Sequence, residues 1–141
     1  NSIPTEINLT EDDLKILDNY KKNIKNIRSK IDEQNINFYI DFIVNSLFEA
    51  NKYFNDQEPW KCKDDLIRLN TIVYTALEII RKISYLLYPI IPETSLKALK
   101  IFDLNENDIK FSSIEENEFL VKGSKINKID ILFKKIEKDN D

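Results

Sequence analysis

A single glycine, Gly123, is the feature that most limits how this chain of 141 residues can fold. Glycine adopts left-handed backbone conformations without steric cost, and sheet-rich folds need such conformations at many tight turns. The chain also has only four prolines. Because few sharp turns are available, we predict an all-α fold, an antiparallel helix bundle that forms one domain with an extended C-terminal segment.

The spacing of apolar residues predicts three long helices and a short one. The first begins at a capping-box-like start, in which acids follow Thr10. The second must end by Glu58, because Pro59 disfavours a helical conformation at the residue before it. The predicted helices cover about Thr10–Glu33, Asn35–Glu58 and Lys63–Leu87, with a short one from Pro92.

The apolar residues of the second helix are too many for one narrow stripe, so we expect it to contact more than one neighbour. Its main face consists of Ile40, Ile43, Val44, Leu47, Ala50 and Phe54, broadened by Phe38, Phe42 and Phe48. The third helix is expected to be the most buried. After Leu104 the pattern weakens, which predicts a turn-rich segment, and the alternation in Ile129–Phe133 predicts an extended strip or a final helical turn against the helices.

The residue types that most enzyme sites need are missing from this sequence. There is no histidine, which removes the commonest general base, and one cysteine cannot build a zinc site. One glycine cannot form a phosphate-binding glycine-rich loop. We therefore predict no catalytic residue, no metal site and no cofactor within this chain. The net charge of -4 also argues against nucleic-acid binding by overall positive charge, although not against a local contact.

Several features bear on where the chain works. The lone Cys62 fits a reducing compartment, and no signal peptide or membrane-spanning run is apparent, so a cytoplasmic location without membrane association is expected. The chain starts at Asn1 and has no methionine at all. We expect it to be a piece of a longer chain.

The corner between the second and third helices is the most informative stretch. There Pro59 presents the only tryptophan, Trp60, beside Lys61 and Lys63. Two interpretations are open: Trp60 fills the gap between two helix ends as an ordinary core residue, or it is displayed for stacking on a nucleic-acid base while the lysines meet phosphates. From the residue types alone, the core interpretation is the more common outcome.

This corner and the long helix after it resemble the anticodon-binding domain of methionyl-tRNA synthetases. Glu58–Lys61 carries the more specific part of the resemblance, and the run Leu86–Thr94 after the long helix is shared among class I synthetases. Further similarity lies at Asn51–Tyr53, Asp65, Arg68, Leu69, Gly123–Ile126 and Leu132–Glu137. Ile129, Ile131 and Lys134 stand where the family commonly has proline.

The resemblance implies a tRNA-binding function. Trp60 would stack on a base of the methionine tRNA anticodon, with Pro59 positioning the corner and Lys61 and Lys63 assisting. It implies that the parent enzyme is an ATP-dependent methionine–tRNA ligase using Mg, whose catalytic domain and first anticodon-reading helix are absent from this sequence. Two alternatives stay open: the equivalent domain of another class I synthetase, and a helical protein-interaction scaffold that binds a partner through its wide apolar faces.

Overall fold

The structure is a computed structural model that describes residues 2–128. Within these residues it is helical and contains no β-strand, with only an isolated antiparallel bridge between Ser2 and Lys125. The predicted all-α class is therefore confirmed, whereas the strip Ile129–Phe133 lies outside the described residues. The helices are α1 (Glu11–Asp32), α2 (Ile36–Gln57), α3 (Leu66–Leu87), α4 (Pro92–Leu99) and α5 (Phe111–Glu115), and 3₁₀ turns occupy Pro59–Lys61, Lys100–Phe102 and Glu106–Asp108.

Local signals fix most helix ends. At the start of α1, Asp13 accepts a hydrogen bond from the Thr10 backbone N–H at 2.8 Å, which is the reciprocal half of a capping box. The side chain of Asp65 caps α3 by accepting from the Arg68 N–H at 3.0 Å. Our prediction that α3 begins near Lys63 is wrong, because this cap places the first helical residue at Leu66.

Scarcity of glycine does not exclude left-handed backbone conformations. Gln34, Glu58 and Asp103 all have positive φ, and each lies directly after or near the end of a helical segment. Glycine is the common residue at such helix ends. In this chain Gln34, Glu58 and Asp103 adopt the left-handed conformation instead, at a steric cost of about 1–2 kcal/mol each.

The main core lies where α1, α2 and α3 pack together. Helix α2 contacts both α1 and α3, which confirms that it has more than one neighbour. Its apolar surface is wider than these two contacts can cover, so an outer stripe stays open to solvent. The large apolar residues exposed on α2 are Ile36, Phe38, Ile40, Val44, Leu47, Phe48 and Phe54.

The buried face of α3 is unexpectedly charged. Glu78, Arg81 and Lys82 are all fully buried, although such residues are rarely so without partners. Glu78 and Arg81 form an ion pair with each other at 2.7 Å. Their further partners lie in the segment after α4: Arg81 donates to the Ser113 carbonyl at 2.9 Å, and Glu78 accepts from the Leu120 N–H at 2.8 Å. The segment predicted as turn-rich is therefore tied to α3 by side-chain hydrogen bonds, and it contains a short helix that the sequence did not predict.

The end of the described chain returns to its beginning. Ile3 donates to the Ser124 carbonyl at 2.7 Å and accepts from the Gly123 N–H at 2.8 Å. Gly123 has a φ of 83°, a conformation that suits glycine. Ile3 also packs with Tyr74, Phe102 and Leu120 in a second, smaller core. Among the described residues, no helix is long and apolar enough to cross a bilayer.

Candidate functional site

The candidate site is the corner that joins α2 to α3. Helix α2 ends at Gln57, and Glu58 then takes the left-handed conformation, with φ 48° and ψ 59°. Pro59 to Lys61 form one 3₁₀ turn, closed by a hydrogen bond from the Lys61 N–H to the Glu58 carbonyl at 2.9 Å. Pro59 itself is buried. A left-handed residue followed by a buried proline leaves the backbone of this corner little freedom.

Trp60 is an exposed aromatic residue on this turn. Its side chain is 53% exposed, so it does not fill a gap in the core, and the core-packing interpretation of Trp60 is wrong. Large aromatic side chains are usually mostly buried, and an indole left half in solvent on a constrained turn offers a flat face to a ligand. Base stacking is one use of such a face.

The two lysines predicted with Trp60 are placed differently. Lys61 lies in the same turn and forms an ion pair with Glu58 at 2.8 Å, with both side chains well exposed. Lys63 is exposed in the turn that precedes α3. Exposed ion pairs of this kind contribute little, about 0–1 kcal/mol, so Lys61 can leave Glu58 for a phosphate at small cost.

A partly buried hydrogen-bond network adjoins the corner, and the sequence did not predict it. The Asp13 carboxylate at the start of α1 is fully buried and binds both terminal nitrogens of Arg68, at 2.7 Å (Nη1) and 3.0 Å (Nη2). It also accepts a short hydrogen bond from the Tyr53 hydroxyl of α2. Arg68 Nη2 in turn donates to the side-chain oxygen of Gln57, the last residue of α2. We call Asp13, Tyr53, Gln57 and Arg68 the anchor network.

The pKa values in the anchor network agree with a charged pair. Burial pushes the pKa of Asp13 up, but hydrogen bonds from Arg68, Tyr53 and Thr10 outweigh it and hold the pKa below its ordinary value of 3.8. The hydrogen bond to Asp13 raises the pKa of Arg68, and burial together with Asp13 raises that of Tyr53. At neutral pH the carboxylate and the guanidinium are both ionised, whereas the phenol is neutral.

Little in the sequence could have revealed this network. Asp13 is recognisable from sequence only as part of the α1 capping box, and its partners lie 40 and 55 residues further along the chain. Arg68 belongs to the family resemblance, which assigns it no role. Among residues 2–128 there is no group of three or more side chains able to hold a metal ion.

Comparison with known proteins identifies the family. Residues 3–141 match the family model of the anticodon-binding domain of methionyl tRNA ligase. The chain belongs to this family. The match supports the anticodon-binding interpretation over the two alternatives, another class I synthetase and a protein-interaction scaffold.

Two methionine–tRNA ligases are identical to the chain at about a third of the aligned residues. It is 36% identical over 115 residues to the probable mitochondrial methionine–tRNA ligase of Dictyostelium discoideum, covering 72% of the chain and 20% of that protein. It is 33% identical over 140 residues to the methionine–tRNA ligase of Methanocaldococcus jannaschii, covering 96% of the chain and 19% of that protein. The chain thus spans about a fifth of the length of the relatives it matches.

Solved structures show the same fold. The apo form of Mycobacterium tuberculosis methionyl-tRNA synthetase superposes with a TM-score of 0.86 at 23% identity, covering 97% of this chain and 28% of that one. The same enzyme bound by methionyl-adenylate gives a TM-score of 0.84 at 24% identity, covering 94% of this chain and 27% of that one. The helix bundle of this chain is therefore a fold that is also found in that synthetase.

Proposed function

We propose that this anticodon-binding domain holds the anticodon loop of methionine tRNA, and that Trp60 is the ring on which one anticodon base stacks. The half-exposed indole on the constrained turn carries this proposal, since the family supplies the ligand class and Trp60 supplies a face suited to it. Proteins recognise RNA loops by splaying out single bases and stacking them on aromatic side chains. Each such stack is worth about 1–3 kcal/mol.

Charge plays a secondary role in this proposal. The net charge of the chain is -4, so its overall field does not favour RNA. Lys61 and Lys63 flank Trp60 on the same exposed corner and supply local positive charge for the phosphates beside the stacked base. Pro59 acts indirectly, because its buried ring fixes the turn that presents Trp60.

We further propose that this domain belongs to a longer methionine–tRNA ligase. Residues 1–141 form the tRNA-positioning domain, and the catalytic domain and a further anticodon-reading helix belong to the rest of the polypeptide. That catalytic domain uses ATP with Mg to activate methionine and to esterify the tRNA. Because this domain has no histidine, one cysteine and one glycine, it contributes binding and not chemistry. The lone half-buried Cys62 is consistent with work in the cytoplasm.

Substitution of Trp60 by alanine in the full-length ligase tests the proposal. Aminoacylation of methionine tRNA should fall about five- to 150-fold, the equivalent of one lost stack. Methionine-dependent ATP–pyrophosphate exchange should stay near the wild-type rate, because it needs no anticodon. Trp60→Phe should keep most of the activity, since a smaller ring still stacks.

Phe48→Ala is the matched control, because Phe48 is an aromatic residue that is 67% exposed on α2, away from the corner. It should leave both reactions unchanged. If Trp60→Ala behaves like Phe48→Ala, or if both reactions fail together, Trp60 is not the anticodon platform.

A further inference from the structure

The anchor network places the ion pair of a fully buried carboxylate, Asp13, next to an exposed turn. Replacing a buried ion pair by apolar residues of similar volume is often neutral or stabilising, so such a pair is weak evidence of a need for stability. What distinguishes such a pair is its geometric specificity. A carboxylate that accepts hydrogen bonds from both terminal nitrogens of a guanidinium fixes the relative orientation of the two groups. The network therefore fixes the relative positions of the segments that its members belong to.

The hydrogen bonds of the anchor network involve the residues on both sides of the corner. Gln57 is the last residue before it, and Arg68 lies in the first turn of α3 just after it. Arg68 Nη2 bonds to Gln57, so the side chains join the two ends of the intervening segment. Arg68 is in turn held by Asp13, which belongs to neither end. Both ends of the Trp60 corner are thus tied to one fixed point on α1.

Trp60 needs such external support. Its indole is about half in solvent, so side-chain packing alone fixes it less than it fixes a core residue. The neighbouring Glu58 is held in a left-handed conformation that a residue with a side chain disfavours. A ring that is already in place when RNA arrives loses less conformational entropy on binding, and this increases affinity without a new contact.

We propose that Asp13 is the positioning residue of the Trp60 corner, acting through Arg68 and Gln57 to hold the indole in the orientation that an anticodon base requires. Asp13 touches no RNA in this arrangement. Its effect on tRNA is transmitted by the two ends of the corner. The inference rests on the proposed stacking role of Trp60 and adds to it the buried carboxylate that sets the geometry.

The test measures coupling between Asp13 and Trp60 in the full-length ligase. Asp13→Asn keeps the shape of the side chain but removes the charge that aligns Arg68, and kcat/KM for methionine tRNA should fall about ten- to hundredfold, the scale of a misplacement of about 1 Å. ATP–pyrophosphate exchange should be unchanged. In a Trp60→Ala background, Asp13→Asn should cause less than about a twofold further loss, because the ring it positions is gone.

A second variant guards against a simple folding defect. Gln57→Ala removes only the outer acceptor of Arg68 and leaves the buried pair with Asp13 intact, so it should fold and still lower kcat/KM for tRNA. Gln57→Glu restores an acceptor and should recover most of the activity. Glu78→Gln is the matched control: it disrupts the other buried ion pair of α3, at 2.7 Å from Arg81, and should reduce stability without a selective loss of tRNA use.

Each result decides the matter. The positioning role is overturned if Gln57→Ala leaves tRNA kinetics unchanged, or if the losses from Asp13→Asn and Trp60→Ala multiply independently. It is also overturned if Glu78→Gln lowers tRNA kcat/KM as much as Asp13→Asn does. Trp60→Ala without effect removes the stacking role itself, which separates failure of the proposed function from failure of this inference.

Discussion

Replacing Arg81 by methionine should be among the most destabilising single changes in this domain. The Arg81 guanidinium is fully buried and donates to Glu78 at 2.7 Å, to the Ser113 carbonyl at 2.9 Å and to the Glu116 carbonyl at 2.7 Å. It also lies over the Phe119 ring, 4.5 Å from the centroid. Methionine keeps the apolar stem of the arginine side chain, and the change removes the guanidinium with its charge and hydrogen bonds.

The expected loss comes from the partner that remains behind. Glu78 keeps its hydrogen bonds from the Leu120 N–H and, at 3.4 Å, from the Tyr74 hydroxyl, but its charge is then unpaired in the core. Removing one partner of a buried pair costs about 3–5 kcal/mol. A domain of this kind has only about 5–15 kcal/mol in total, so Arg81→Met should remove between about a fifth and all of its stability.

Urea denaturation of the 141-residue chain, followed by far-UV circular dichroism, measures this loss. Lys122→Met is the matched control, because Lys122 forms an exposed ion pair with Glu118 at 3.0 Å and its loss should cost at most about 1 kcal/mol. Adding Glu78→Gln to Arg81→Met should recover part of the stability, since the stranded charge is removed. The reasoning is refuted if Arg81→Met is no more destabilising than Lys122→Met, or if the double variant recovers nothing.

Two further predictions concern charge. Replacing Lys61 and Lys63 by glutamine should reduce the salt dependence of anticodon stem-loop binding by about 1.4 in the slope of log K against log salt, and an unchanged slope means that neither touches phosphate. Burial lowers the pKa of Lys82 to about 8, so between about pH 8 and 10 the unfolded chain binds more protons than the folded one and stability should rise with pH. This rise should be absent in Lys82→Met, and above about pH 10 the buried Tyr20 and Tyr39, whose pKa values burial raises, should reverse it.

The helix ends that the sequence predicted well are those decided by near neighbours. The capping box at Thr10 acts over three residues, and Pro59 and Pro92 restrict the backbone beside them. The predicted start of α3 is wrong because Asp65 captures the helix N-terminus shortly after Lys63, and several polar residues in that turn are equally plausible caps from sequence alone.

The buried charges were unpredictable for the opposite reason. Glu78, Arg81 and Lys82 interrupt an apolar run in the sequence. Glu78 and Arg81 pair with each other three residues apart, but the backbone groups that complete their burial, and that of Lys82, lie more than 30 residues away in the segment after α4. Asp13 and Arg68 are 55 residues apart in the same way. Periodicity identifies which face of a helix is apolar, but it does not identify a polar group whose burial depends on a distant partner.

The Trp60 corner has one feature that near neighbours in the sequence decide and another that depends on distant residues. Its position could be predicted because Pro59 acts locally, whereas its rigidity depends on Glu58, which adopts a left-handed conformation at φ 48° where glycine is usual. Glycine there would relieve about 1–2 kcal/mol of strain, yet it would also widen the range of conformations open to the turn. A strained residue persists only where its surroundings over-determine it, and Gln57, directly before Glu58, is hydrogen-bonded to Arg68 of the anchor network. Glu58, where glycine would give the turn more freedom, therefore narrows the range of conformations open to the Trp60 corner.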